Sequence, residues 1–372
     1  MQTALPCLFM RGGTSRGPFF MESEMPADET LRDRVLLAAM GSPDARQIDG
    51  LGGADPLTSK AAIVSRSARP GVDLEFLFAQ VLIDEARVDT TPNCGNMLAA
   101  VGPFALERGL VSASGAESTL RILTRNTGML CDVTLQTPGG RISYEGDARI
   151  DGVPGRAAPI RINFLETAGS VCGAMLPTGR SVDDIDGLAV TCIDNGMPVV
   201  IMRASDLGRT GYEPRDALNA DDELKARLES IRLKAGVLMG LGDVARKVIP
   251  KMTLIAPPRA GGSVCTRTFI PRDCHAAIGV LGAVTVATAV VIRGSVAHGA
   301  ASVPQGATRL VSVEHPSGEF TVELEMDEAA PEAAQPTIRR AALLRTARLI
   351  MKGELMIPGT VWDGRSSIAS AA

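Results

Sequence analysis

The sequence predicts an α+β protein in two similar halves, each wrapping β-structure around one buried helix of small residues. Three observations carry this reading. The chain has 372 residues, 45% of them apolar, enough for a large core and for two domains or one large one. Short apolar runs separated by Gly- and Pro-rich turns, TPGG and GVPG among them, read as strands. Two small-residue stretches, GNMLAAVGPFALERG and AAIGVLGAVTVATAVVI, each follow a loop that contains a cysteine. That recurrence is a weak internal repeat, visible as architecture rather than as identity.

The first half opens with a strand over 4–12, a Gly-rich turn and a second strand over 17–22. The run DETLRDRVLLAAMG (28–41) is an amphipathic helix, with Leu31, Val35, Leu36, Ala39 and Met40 on one face. Strands follow at 60–65 and 73–83, then the helix at 95–108 and short β-runs across 118–165. The second half has strands near 187–203, a helix at 221–240, strands near 251–268 and β-runs over 308–326. Its central helix, 276–292, is 17 residues without a charge, at the lower edge of a membrane span. It is built from Ala, Gly, Val and Thr and lacks aromatic anchors, so it reads as a helix buried on all sides within a core. Segment 337–352 fits helix and strand equally.

Composition excludes several functions. A net charge of −4 with 3% aromatics offers neither a basic surface for phosphates nor platforms for stacking bases, so no nucleic acid is expected. Seven scattered cysteines without a C-x-x-C pair argue against a disulfide framework and a structural zinc site. Three histidines (His275, His298, His315) have no clustered spacing, so no metal is expected either. The N-terminus lacks a charged leader before a long apolar region, and a reduced cytoplasmic protein, free of the membrane, is the expectation.

Two familiar motifs fail on inspection. GTSRG (13–17) fits the G-x-S-x-G of a hydrolase elbow with Ser15 as nucleophile, but Pro18-Phe19-Phe20-Met21 continues as strand where a helix is needed. GLGGADPLTSK (50–60) suggests a phosphate loop, yet Ser59 stands where the glycine before the lysine belongs, and Ala61 where the hydroxyl residue belongs.

What remains is a set of residues suited to proton transfer. Cys94 lies at the mouth of a helix, where the local positive potential favours thiolate and the N–H groups of Gly95, Asn96 and Met97 suit a carboxylate. A packing cysteine is the alternative. Lys60 heads the apolar run AAIV, where burial would make it usable as a base; a solvated surface lysine is the alternative. MRGGTSRG (10–17) brings Thr14, Ser15 and Arg16 together as a cradle for an anion, or forms a flexible turn.

The stretches CLFMRGGTSRG, GSPDARQIDGLGGADPLTSK, VDTTPNCGNMLAAVGPFALERGLV, IRLKAGVLMGLGDV, VIPKMTLIAPP and EHPSGE resemble the PrpF-like isomerases, relatives of diaminopimelate epimerase. That family takes in tautomerases of 4-oxalomesaconate, to which the motifs lie nearest, and isomerases of 2-methylaconitate and methylitaconate. The resemblance implies two domains of diaminopimelate epimerase-like fold, each a β-barrel-like wrap around a central helix, with the active site in the cleft between them. It sets the first at 1–165, with 346–372 as a candidate completion, and the second at 166–345. It also implies cofactor-free proton transfer on a small tricarboxylate substrate, with Cys94 as one acid/base and Lys60 as the other. The second epimerase cysteine has no counterpart: GVLGA (279–283) carries Gly279 in its place, and Leu281 stands where a threonine is expected. Substrate carboxylates are assigned to the N–H groups at Gly95–Asn96 and near Gly282, with Ser15 and Arg16, and His275 is a further candidate contact. The oligomeric state is open, with a homodimer as one option.

Overall fold

The computed structural model describes residues 2–165, 167–327 and 338–364. It is an α+β chain that divides into two compact units, Met1–Leu165 with Arg345–Ala372, and Glu166–Leu344.

In the first unit, β1 (Gln2–Gly12) turns through Gly13 and Thr14 into antiparallel β2 (Ser15–Met21). Helix α1 (Glu29–Met40) begins where Asp28 accepts a hydrogen bond from the Leu31 N–H and ends at left-handed Gly41. It returns the chain to β3 (Lys60–Arg66), parallel to β2, which pairs antiparallel with β4 (Leu74–Val81). After the two-residue β5 (Val88–Asp89) come α2 (Gly95–Leu98) and α3 (Val101–Glu107). Then β6 (Glu117–Thr124) lies parallel to β4, and β7 (Met129–Gln136) and β8 (Ile160–Phe164) follow antiparallel.

The continuous helix expected over 95–108 is in fact two, broken at Ala99–Ala100. Pro103 accounts for the break, since it has no N–H to donate and its ring meets the carbonyl four residues back, that of Ala99. Side chains at adjacent strand positions point to opposite faces, and β2 uses both. Phe19 packs on Phe104 of α3 with ring centroids 5.8 Å apart, while Phe20 joins Val35, Leu36, Ala39 and Met40 of α1. Both phenylalanines are fully buried, each contributing roughly 1.5–3 kcal/mol.

The second unit begins with β9 (Asp183–Ile185), β10 (Leu188–Asp194) and β11 (Pro198–Arg203), antiparallel in turn. Helices α4 (Arg215–Asn219) and α5 (Asp222–Leu238) lead to β12 (Lys251–Ala256), parallel to β11. Antiparallel β13 (Val264–Phe269) is followed by α6 (Val280–Val291) and by β14 (Thr308–His315), parallel to β13. Antiparallel β15 (Gly318–Met326) and β16 (Ile338–Arg345) close the series. Every residue of α6 from Gly282 to Val291 is buried, and Thr285 and Thr288 tie it to Asn195. The helix starts four residues later than the apolar run predicts. The His275 N–H donates to Thr268 O at 2.8 Å, so the chain there is still tied to β13.

Each unit thus repeats one order of strand contacts: antiparallel, parallel across a helical connection, antiparallel, parallel across a central helix, then two antiparallel. Segment 338–352 resolves as strand, and residue 337 lies outside the described residues, as do 365–372 of the proposed C-terminal completion. The last strand, β17 (Ala347–Pro358), pairs antiparallel with β1 and so returns to the first unit.

Candidate active site

Cys94 caps α2 from an extended backbone, and its Sγ accepts from the Met97 N–H at 3.5 Å. The thiol is half-buried. Because α2 is a single turn, what acts on the sulfur is this local cap and not the dipole of a long helix. One residue of the turn organises its surroundings. Asn96 donates from Nδ2 to Thr14 Oγ1 at 2.9 Å and accepts at Oδ1 from Arg345 Nε at 3.1 Å.

Arg345 was not legible as a site residue, because it lies in the segment whose secondary structure the sequence leaves open. It is 3% exposed. Burial pushes its guanidinium down to about 9, and the negative charge available at Cys94 is the influence opposing that fall.

The β1–β2 hairpin is packed directly on this turn. A Cβ on Gly12 would lie 2.3 Å from the Asn96 carbonyl oxygen, and one on Gly13 would lie 2.1 Å from Asn96 Oδ1. Gly13 also adopts φ +53°, which side chains rarely take. Gly12 and Gly13 of MRGGTSRG thus let the hairpin meet NCGNM. Ser15, first residue of β2, is 1% exposed, and its hydroxyl has no hydrogen-bond partner among the described residues. A buried hydroxyl in that condition is costly unless something else completes it. Since β2 follows it directly, the strand–turn–helix of a hydrolase elbow is not formed.

Lys60 opens β3 and is buried, 8% exposed. Its Nζ donates to Gln80 Oε1 at 2.5 Å and sits 4.8 Å from the centroid of the Phe78 ring. Gln80 stands opposite Lys60 in the β3–β4 pairing, and its amide donates to Pro56 O and Ser59 O, which fixes the direction of its oxygen. No carboxylate pairs with Lys60 among the described residues; its partner is a neutral amide. Gly17 lies between this lysine and the cysteine turn: a Cβ there would be 1.8 Å from the Lys60 carbonyl oxygen and 3.5 Å from Met97 Cε.

Thr14, Ser15, Lys60, Cys94, Gly95 and Asn96 thus belong to three adjoining segments of one unit. Arg16 departs from them. Strand alternation puts it on the face opposite Ser15, where it is cross-strand to Arg11, which is itself opposite Arg348. Those three arginines, with Arg156 and Tyr144, line a cavity of about 560 Å³. Burial, and then the neighbouring Arg348, hold the Arg11 guanidinium below its ordinary value. The expected cradle of Ser15 and Arg16 is therefore divided between two faces of one hairpin.

The remaining two predicted residues lie in the second unit. Gly282 is the third residue of α6, whose first-turn N–H groups at Val280, Leu281 and Gly282 have no acceptor within the helix. His275 is exposed, and its Nδ1 accepts from the Ala277 N–H at 3.0 Å.

Comparison with known proteins agrees with these motifs. The chain is 58% identical over 352 residues to a (4E)-oxalomesaconate Delta-isomerase of Novosphingobium sp. (strain KA1), covering 95% of this chain and 97% of that one. It is 57% identical over 363 residues to the 4-oxalomesaconate tautomerase of Pseudomonas putida (strain KT2440), covering 98% and 99%. The crystal structure of a methylitaconate-delta-isomerase superposes with a TM-score of 0.83 at 33% identity, covering 100% and 98%. The fold is the diaminopimelate epimerase-like one that the motifs imply. The PrpF protein family profile matches residues 2–358, and with relatives above half identity along nearly the whole length the chain belongs to that family.

Proposed function

We propose that the chain is a cofactor-independent tautomerase that shifts a proton and a double bond in an unsaturated oxo-tricarboxylate, 4-oxalomesaconate being the substrate that its relatives' names support best. The observation that carries the reading at the site is the buried Lys60 held by a neutral amide oxygen. Such an oxygen accepts a hydrogen bond from the ammonium and from the amine alike, so the lysine can take up and release a proton without breaking an ion pair. Cys94, on the adjoining turn, is the second proton carrier.

In this mechanism a C–H bond beside a carbonyl and a conjugated double bond loses its proton to one of the pair. The electrons delocalise as a dienolate, and a proton returns two carbons away from the other group. The N–H groups of Gly95 and Asn96, the Thr14 hydroxyl and the unpartnered Ser15 hydroxyl are suited to the substrate's carboxylate and enolate oxygens. In the second unit the free N–H groups at the start of α6, including that of Gly282, are suited to a carboxylate in the same way, with His275 as a polar contact.

The setting we propose is the breakdown of gallate- or protocatechuate-type aromatic acids in the cytoplasm. In support, all seven cysteines are free thiols, and no described helix is long and apolar enough to cross a membrane. Relatives named 3-methylitaconate and 2-methyl-aconitate isomerase are 36% and 35% identical, which makes their substrates the second reading. A direct comparison of kcat/KM decides between them. The value for 4-oxalomesaconate, followed by absorbance, is expected to exceed those for 2-methylaconitate and methylitaconate by about tenfold or more, the discrimination that one substituent commonly supports. Equal values, or the reverse order, would refute the substrate assignment.

A further inference from the structure

The face of the β1–β2 hairpin opposite Ser15 carries a row of positive charge. Arg11 stands opposite Arg348 of β17 on one side and opposite Arg16 of β2 on the other. Neighbouring strands lie about 4.8 Å apart, so these three guanidinium-bearing positions span roughly 10 Å. Like charges directly opposite one another destabilise a sheet. Two of the heads are nevertheless held in place, and by neutral groups. Arg11 donates from Nη1 to Gly13 O at 2.8 Å, to Thr346 O at 3.1 Å and to Thr346 Oγ1 at 3.0 Å. The Arg16 guanidinium lies 5.9 Å from the centroid of the Phe9 ring. Other arginines of this unit find carboxylates, Arg108 with Glu24 and Arg121 with Asp132. Among the described residues no carboxylate pairs with Arg11, Arg16 or Arg348.

The row lines the 560 Å³ cavity together with Arg156, Tyr144 and Glu145. Four arginines against one glutamate leave an excess of three positive charges in that lining. The Tyr144 hydroxyl is committed to Glu107 Oε1 at 3.4 Å, and Arg156 Nη1 donates to the Asp147 carbonyl oxygen at 3.4 Å. The segment between β7 and β8 adds the aliphatic side chains of Ile150, Val153 and Pro154. Cations fixed in register beside an aliphatic surface suit an organic anion with carboxylates spread along a short carbon skeleton. Each guanidinium offers a carboxylate two parallel donors, and the volume is that of a small-molecule site. Ser15, Lys60, Cys94 and Asn96 are all absent from the lining. Strand alternation accounts for Ser15, which it sends to the other face of the hairpin.

We propose that this cavity is a second anion site, separate from the proton-transfer residues, which takes a small polycarboxylate across Arg348, Arg11 and Arg16. Occupancy relieves the repulsion within the row and so stabilises the hairpin that packs on the Cys94 turn. The test is calorimetric titration of citrate into the full chain at constant ionic strength. It requires no turnover, so its outcome is independent of the reaction assigned above. Wild type is expected to show saturable binding. Arg348→Gln removes one exposed cation and is expected to weaken binding about tenfold or more, the scale of one lost charge-assisted hydrogen bond. In anion-free buffer the same variant is expected to melt no lower than wild type, since it removes a like charge. Lys60→Met, altered at the proton-transfer site, is expected to bind citrate as wild type does. Pyrophosphate, which brings no carbon skeleton to Ile150, Val153 and Pro154, is expected to bind less tightly than citrate. No saturable binding, or equal affinity in Arg348→Gln, overturns the proposal. So does binding that is lost in Lys60→Met, which would place citrate among the proton-transfer residues. An Arg348→Gln chain that melts below wild type overturns the reading of the row as uncompensated charge. Pyrophosphate binding the tighter of the two overturns the assignment to a polycarboxylate.

Discussion

Lys60 is defined by what holds it. A buried ammonium facing a carboxylate would be locked as an ion pair, whereas Gln80 offers a neutral oxygen steered by two backbone carbonyls. Replacing that oxygen by a charged one, Gln80→Glu, should tie the proton more firmly to the lysine. Turnover at neutral pH is then expected to fall about tenfold or more, with the limb of the pH–rate profile that Lys60 controls displaced to higher pH. An unchanged profile would mean that Lys60 exchanges no proton in the rate-limiting step. At this scale the sequence was informative where chemistry coincided with punctuation. Cys94 stood out between Pro92 and Gly95, and Lys60 at the edge of an apolar run. Gln80 and Arg345 gave no such signal, because each matters through a residue remote in sequence: Gln80 across a strand pair, Arg345 through Asn96. The separation of Ser15 from Arg16 was hidden for a related reason. Side-chain alternation becomes legible only once it is known that β2 begins at Ser15.

Among the elements, the β1–β2 hairpin and the Cys94 turn depend on one another. Gly13→Ala would strain a left-handed backbone and also push against Asn96, so a loss of roughly 2 kcal/mol or more in unfolding free energy is expected. Gly71, at φ +75° with nothing within 4 Å, isolates the backbone part, and Gly71→Ala should cost only about 1 kcal/mol. Denaturant midpoints of the two variants measure the difference, and equal losses would show that the packing on Asn96 carries no weight. Strand positions were largely readable because Gly and Pro end them. The break of the central helix was also written in the sequence, in Pro103, but the small-residue run around it looked continuous. The region of β16 and β17 was not readable. IRRAALLRTARLIMKGELMIP serves a period of two or of three to four, and what settles it is β1, some 340 residues away, waiting for a partner strand.

Across the whole molecule, the two units share an order of strand contacts that amino-acid identity does not reveal. The repeat was visible as a rhythm of strands and central helices because burial restricts both helices to small or apolar residues, while loops and surfaces are free to diverge. Within that architecture the second unit has no cysteine at the start of its helix, since Gly279 occupies the capping position of α6. The proton-transfer pair is accordingly unequal, Lys60 with Cys94, both in the first unit. The most direct measurement of that pair is deuterium uptake into 4-oxalomesaconate in D₂O, followed by proton NMR. Wild type is expected to introduce solvent deuterium in step with turnover. Lys60→Met and Cys94→Ser should each lower that rate by roughly 10²-fold or more. Either variant exchanging at the wild-type rate would contradict the assignment of Lys60 and Cys94 as the proton carriers.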